Sequence, residues 1–325
     1  MFKIFTLLAD WLAYSVFNLE VNSKLGDSIH FFIEDVSKIF VLILIMIYLI
    51  AMLRASMNME RVRDSLQGKS RWFGYTAGSL FGAITPFCSC SSIPMFLGFT
   101  AAGIPTSVTL SFLITSPLLN EVAIVLLGSI LGLRFTITYL IAGVSVGILG
   151  GIFFDSIGAD HMLQPMAQKL YDGEHKTVET GKSQSKLSLK DRHAFAKDEA
   201  FTIFSRIWKW VIIGVGIGAG LHGFVPESWI IDNLGDGAWW SIPAAVLLGI
   251  PLYSNASGMI PIIETLLLKG LPVGTALAFM LSTVGASFPE FIMLKQVLKP
   301  KLLTYLFIYF LIAFTFIGLI INFLF

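Results

Sequence analysis

Apolar stretches long enough to cross a hydrocarbon core of roughly 30 Å, about 17 residues or more, recur along the whole of this 325-residue sequence. The composition agrees with them. The chain is 55% hydrophobic and 13% charged, whereas a soluble domain carries about a quarter charged residues. That is too little charge to cover a water-facing surface, so the sequence predicts an all-α, polytopic membrane protein. No soluble domain of ordinary size is left once the apolar stretches are removed. A formal net charge of +1 leaves no basic footprint for nucleic acid. The two cysteines are too few and too close together for a disulfide framework. No phosphate loop, dinucleotide fingerprint or Ser–His–Asp arrangement occurs, and the five histidines lack metal-ligand spacing. The expectation is therefore not an enzyme, with no cofactor and no metal.

The chain also matches itself at an offset of 167 or 168 residues. Ser37-Lys38-Ile39 falls on Ser205-Arg206-Ile207, Trp72 on Trp239, Gly82 on Gly249 and Pro94 on Pro261. Gly103-Ile104-Pro105 falls on Gly270-Leu271-Pro272, and after a short insertion Glu121 falls on Glu290. Thr138-Tyr139-Leu140 then meets Thr304-Tyr305-Leu306. An ordered series of Pro, Gly, Trp and Glu matches is hard to obtain by chance between two apolar sequences. The organisation expected is an N-terminal membrane or interfacial helix at 1–30, repeat 1 at 31–154, a linker at 155–200 and repeat 2 at 201–325. The N-terminal stretch carries Lys3 and an apolar run, but Asp10 interrupts the run and no small-x-small cleavage site follows.

Loop charges give the repeats a direction. Short loops rich in Lys and Arg stay cytoplasmic. The loop after the first helix of repeat 1 carries Arg54, Arg61, Arg63, Lys69 and Arg71, whereas its counterpart near 222–238 holds Glu227, Asp232 and Asp236 and no Lys or Arg. The two repeats are thus expected in inverted topology, with 155–200 in the cytoplasm, as in many secondary transporters. That polar stretch reads as a tether, with a regulatory or docking segment as the alternative.

Each repeat contains broken segments. Pro86 and Pro94 flank Cys88-Ser89-Cys90-Ser91-Ser92, and Pro251 and Pro261 flank Asn255-Ala256-Ser257. Proline removes a backbone donor and clashes with the preceding turn. Proline-broken or re-entrant half-helices are therefore expected to meet near the bilayer midplane, starting near Ile93 and Ile260. Pro105 and Pro272, and Pro117 and Pro289, mark further breaks, the last two beside Glu121 and Glu290. Irregular backbone at that depth is tolerated only where it is buried in protein or lines a wet cavity. Intramembrane carboxyls are functional candidates by default, here as proton carriers. The alternative is a structural pair that caps helix ends.

Cys88 and Cys90 fall on Asn255 and Ser257, so the turn can be built without sulfur. Small residues suited to a tight break explain the serines better than the thiols. A helix N-terminus lowers a thiol's pKa, and two thiols at i and i+2 can clasp a soft, thiophilic centre.

The run Thr85-Pro86-Phe87-Cys88-Ser89-Cys90-Ser91-Ser92-Ile93-Pro94, followed by Ala102-Gly103-Ile104-Pro105 and by Ser116-Pro117 to Asn120-Glu121, resembles the signature of the YraQ-like predicted permeases. These are bacterial inner-membrane proteins related to the organoarsenical efflux permeases. The resemblance covers the chain after about residue 30 and implies a multi-pass permease exporting a small molecule or ion. The candidate substrate contacts are Cys88, Ser89, Cys90, Ser91, Ser92, Asn255 and Ser257, and the candidate proton-coupling residues are Glu121 and Glu290. Membrane lipid is the expected surrounding and a homo-oligomer is possible on this reading. The competing reading is a membrane thiol–disulfide electron carrier using the Cys88/Cys90 pair.

Overall fold

The computed structural model describes residues 3–21, 23–56, 70–85, 89–101, 103–119, 121–165, 167–168, 189–224, 240–251 and 256–325. Among these residues the secondary structure is helical, with no β-strand. Helix α1 (Lys3–Asp10) runs into a π-helical turn, Trp11–Val16, and precedes α2 (Lys24–Ser56). Then come α3 (Arg71–Ile84), α4 (Ser89–Ala101), α5 (Thr106–Leu118) and α6 (Glu121–Ser156). After a 3-10 turn at Ala159–Met162, the order continues with α7 (Leu189–Phe224), α8 (Ser241–Gly249) and α9 (Ala256–Leu268). The chain finishes with α10 (Val273–Gly285), α11 (Phe288–Leu294) and α12 (Pro300–Leu324). Among the described residues, three stretches, Leu127–Ser156, Val273–Leu294 and Pro300–Leu324, are long and apolar enough to cross a bilayer.

The chain separates into two compact units that do not follow its midpoint. One holds Met1–Ile45, Arg206–Pro289 and Leu311–Phe325; the other holds Met46–Ser205 and Glu290–Phe310. Each contains a hairpin of two 13-residue helices, α4 with α5 and α9 with α10. A rise of about 1.5 Å per residue makes such a helix roughly 20 Å long, short of a bilayer core.

The two hairpin turns are built alike. Gly103 and Gly270 take positive φ, 72° and 94°, a conformation that a side chain disfavours. Ile104 N–H donates to the Phe99 carbonyl at 3.1 Å and Gly103 N–H to Thr100 at 3.0 Å; Leu271 and Gly270 repeat this on Leu266 and Leu267, both at 3.0 Å. This paired closure satisfies carbonyls left over at a helix end and seats an apolar residue behind the turn. Ile104 and Leu271 are both buried. Pro105 (φ −52°, ψ 136°) and Pro272 (φ −57°, ψ 139°) then start α5 and α10. Their missing N–H groups fall where a helix start has no intrahelical partner to offer.

Close packing around the hairpins repeats as well. A Cβ placed on Gly82 of α3 would stand 2.8 Å from the Phe112 carbonyl oxygen on α5; one on Gly249 of α8 would stand 2.8 Å from that of Phe279 on α10. Gly151 of α6 packs on Ser111 and Tyr75, while Gly318 of α12 packs on Ala278 and Ile242. All these pairs stand 167 positions apart in the sequence. Small residues allow backbones to approach in helix bundles where apolar surface alone gives no drive to associate. Every residue of α5 except Val108 is buried, as suits a helix with no charged face.

Gly132 (φ 85°, ψ 173°) breaks α6 into an 11-residue lead and a long second part. In the other half the corresponding break is the chain between α11 and α12.

Three expectations change. Helices α4 and α9 start at Ser89 and Ala256, four residues before Ile93 and Ile260. Pro94 and Pro261 therefore lie inside helices rather than at breaks. The stretch 155–200 is not one uniform tether. Gln164 N–H donates to the Val297 carbonyl at 2.8 Å and Lys299 Nζ to the His161 carbonyl at 2.9 Å. Leu163 forms an isolated antiparallel bridge with Leu298, and Leu189 already begins α7.

Candidate functional site

An antiparallel hairpin brings the beginning of its first helix beside the end of its second. In the first half this joins two stretches that are separate in sequence, the serine-cysteine run that opens α4 and the Thr115–Leu119 run that closes α5. Ser92 Oγ donates to Ser116 Oγ at 3.1 Å, with both side chains buried. Pro86 and Cys88 lie outside the described residues, and of Ser89, Cys90 and Ser91 only the helical backbone is described. These three occupy the first turn of α4, where amides have no intrahelical acceptor and carry the positive end of the helix dipole.

A ladder of buried hydroxyls backs this end of the hairpin. Thr115 Oγ1 bonds the Ser111 carbonyl at 2.9 Å and lies 2.8 Å from Ser79 Oγ of α3. Ser79 Oγ donates to the Val144 carbonyl of α6 at 2.9 Å, and the Tyr139 hydroxyl donates to the Leu118 carbonyl. A buried hydroxyl is costly unless it is bonded, so these contacts hold α3, α5 and α6 in register. Pro117 lies inside the last turn of α5. Its ring frees a carbonyl one turn back, and the chain leaves the helix at Leu119 (φ −104°, ψ 68°). Glu121 begins α6, described by its backbone alone.

The second half has the same plan with different chemistry. Asn255 lies outside the described residues, and the side chain of Ser257 in the first turn of α9 is likewise not described. At the end of α10, Ser282 Oγ and Thr283 Oγ1 both donate to the Phe279 carbonyl, each at 2.9 Å. The chain then breaks at Ala286 and Ser287, and Phe288 N–H reaches the Ile250 carbonyl beside Pro251 at 3.0 Å. Ser287 Oγ is buried without a hydrogen-bond partner among the described residues. Pro289 is the second residue of α11 and Glu290 the third, only 2% exposed. Glu290 and Asp35 are the buried carboxyls among the described residues.

Sequence reasoning named the serines and carboxyls but missed Ser79, Ser111 and Tyr139. Their signal, small or hydroxyl residues one helical turn apart, is shared with any packed helix.

Helices long and apolar enough to cross a bilayer, with no strand among the described residues, define an all-α membrane protein. Residues 24–323 match the family model ArsP_1, described as "predicted permease", and the chain belongs to that family. It is similar to the UPF0718 protein MJ0584 of Methanocaldococcus jannaschii, 25% identical over 82% of this chain and 87% of the relative. The UPF0718 protein YraQ of Escherichia coli is 25% identical over 73% of this chain and 64% of its own length. A Streptococcus mutans protein whose name describes it as a two-component membrane permease complex subunit is 27% identical over 69% and 71%. No solved structure is detectably similar to this chain.

Proposed function

We propose that this permease is a secondary transporter of a bacterial inner membrane, exporting a small thiophilic or sulfur-containing solute by rocking two inverted repeats. The observation that carries the reading is the buried junction Ser92–Ser116, because it draws the thiol-bearing start of α4 against a proline-loosened helix end. Cys88, Ser89, Cys90, Ser91 and Ser92 are the substrate contacts in one repeat, with Asn255 and Ser257 in the other. Thiolates, favoured at a helix start, bind soft centres such as trivalent arsenic. Glu121, first in α6, and Glu290, in the first turn of α11, each follow a break and carry the coupling protons. The repeated caps and glycine contacts of the two hairpins support the repeat, and the loop charges support its inversion. The Streptococcus relative is named as part of a two-component assembly, so a second subunit joins a homo-oligomer as a candidate partner.

The test is uptake of a trivalent methylated arsenical into inside-out vesicles containing the protein. Replacing Cys88 and Cys90 together by Ser preserves size and turn preference, so the protein should insert normally while uptake falls at least tenfold. Glu121→Gln and Glu290→Gln should leave insertion intact and remove the dependence of uptake on a proton gradient. Parental uptake by the double Ser protein would defeat the thiol assignment. A requirement that the pair cycle between thiol and disulfide would instead favour the electron carrier.

A further inference from the structure

The N-terminal arm, α1 with its π-helical turn, precedes the residues that match the family, which begin at 24. Its two faces are chemically opposite. Ile4, Leu7, Leu8 and Trp11 share one face by helical spacing and point away from the protein, with Ile4 70%, Leu7 66% and Trp11 58% exposed. The other face lies on α2. There Ala9 and Ala13 are fully buried, Thr6 Oγ1 donates to Glu34 Oε1 at 2.8 Å, and Asp10 Oδ1 stands 2.9 Å from His30 Nε2. The Tyr14 ring stacks on His30 with centroids 5.5 Å apart. The arm thus makes its polar contacts on α2 and turns its large apolar side chains outward, the reverse of a helix resting on a protein surface in water.

The position of the arm along α2 sets its depth. Between Lys38 and Arg54, α2 carries an uncharged apolar run whose centre is near Met46. Glu34 and His30 lie about 18 and 24 Å from that centre at about 1.5 Å per residue. The hydrocarbon half-thickness is roughly 15 Å, so the arm meets α2 at headgroup level. Its eight-residue helix, about 12 Å long, is too short to cross the membrane. A short amphipathic helix with a Trp at this level lies in the interface with its apolar face toward the acyl chains.

We propose that residues 3–16 form an interfacial anchor. Ile4, Leu7, Leu8 and Trp11 rest on bilayer lipid, and Asp10 and His30 clamp the opposite face to α2. The occupant is the lipid of the bilayer that already surrounds α2, whose Val41, Leu44 and Ile45 are exposed beyond the clamp.

The test uses the full-length protein in nanodiscs and reads Trp11 as the difference in fluorescence between the parent and Trp11→Phe. Lipids brominated near the headgroup should quench the Trp11 signal at least twice as strongly as lipids brominated near the chain ends. Aqueous acrylamide should quench it weakly. Strong acrylamide quenching without a bromine effect would place the arm in water and overturn the proposal. So would a signal shielded from both quenchers that becomes exposed as the protein is diluted, because a second copy would then cover the face. His30→Leu should abolish the preference for shallow bromine, since the arm then loses its fixed depth. An unchanged preference would remove the clamp from the proposal.

Discussion

Among single residues, the glycines at close helix contacts show why a sequence match can be exact while its reason stays hidden. Gly249 aligns with Gly82 in sequence, but only packing shows that a methyl group on either would press on a fixed backbone oxygen. At Gly249 it would also come within 1.9 Å of Ser282 Oγ. A hydroxyl can rotate away, whereas the Phe279 carbonyl at 2.8 Å belongs to α10 and moves only with the helix. Gly249→Ala should therefore destabilise the protein by about 1–3 kcal/mol, the usual range for overpacking. Gly216→Ala in α7 is the control. Its nearest neighbour would be Phe32 at an ordinary 3.6 Å, and alanine favours helix over glycine by about 1 kcal/mol. Melting temperatures in one detergent would compare the two. Equal values would show that α8 and α10 are not in the contact described.

For the helical elements, the hairpins end in related caps of different chemistry. Position 155, in the last turn of α6, holds a carboxylate; position 322, in the last turn of α12 and 167 positions later, holds an amide. Asp155 accepts from Ser107 Oγ at 3.3 Å and pairs through both oxygens with Arg71 Nη1 at 2.6 Å. Asn322 Oδ1 accepts from Gly274 N–H at 2.6 Å. The Arg71 side chain is 73% exposed, and exposed ion pairs contribute only about 0–1 kcal/mol. Asp155→Asn should consequently cost no more than about 1 kcal/mol. Asn322→Leu takes the acceptor from a partly buried amide at the start of α10 and should cost about 1–3 kcal/mol. Chemical denaturation in detergent would rank them, and the reverse order would refute this account. The breaks in these elements were legible from their prolines, yet the starts of α4 and α9 were misplaced by one turn. Pro94 and Pro261 sit sixth in their helices. There each removes one hydrogen bond after the helix has already begun, which a reading of proline as a terminus cannot foresee.

At the scale of the whole molecule, the charge asymmetry of the loops predicts opposite exposure of residues 65 and 228. In a protein lacking Cys88 and Cys90, Ser65→Cys should react with an impermeant maleimide only from the cytoplasmic face and Ser228→Cys only from the opposite face. Labelling of both from one side would rule out inverted repeats. The sequence by itself determined the membrane class, the family and the two hairpin turns at Gly103-Ile104-Pro105 and Gly270-Leu271-Pro272. Each rests on composition or on local backbone chemistry: apolar length, the left-handed glycine, the proline that starts a helix. Tertiary structure alone decided that the start of α4 and the end of α5 share one end of a hairpin, joined through Ser92 and Ser116. It alone showed that residues 161–164 lie against the chain before α12. It also divided α2 and α12 between two compact units, where sequence placed a boundary near the midpoint. Such choices depend on which surfaces fit together at ångström range, and residues distant in the chain settle that only once they are packed.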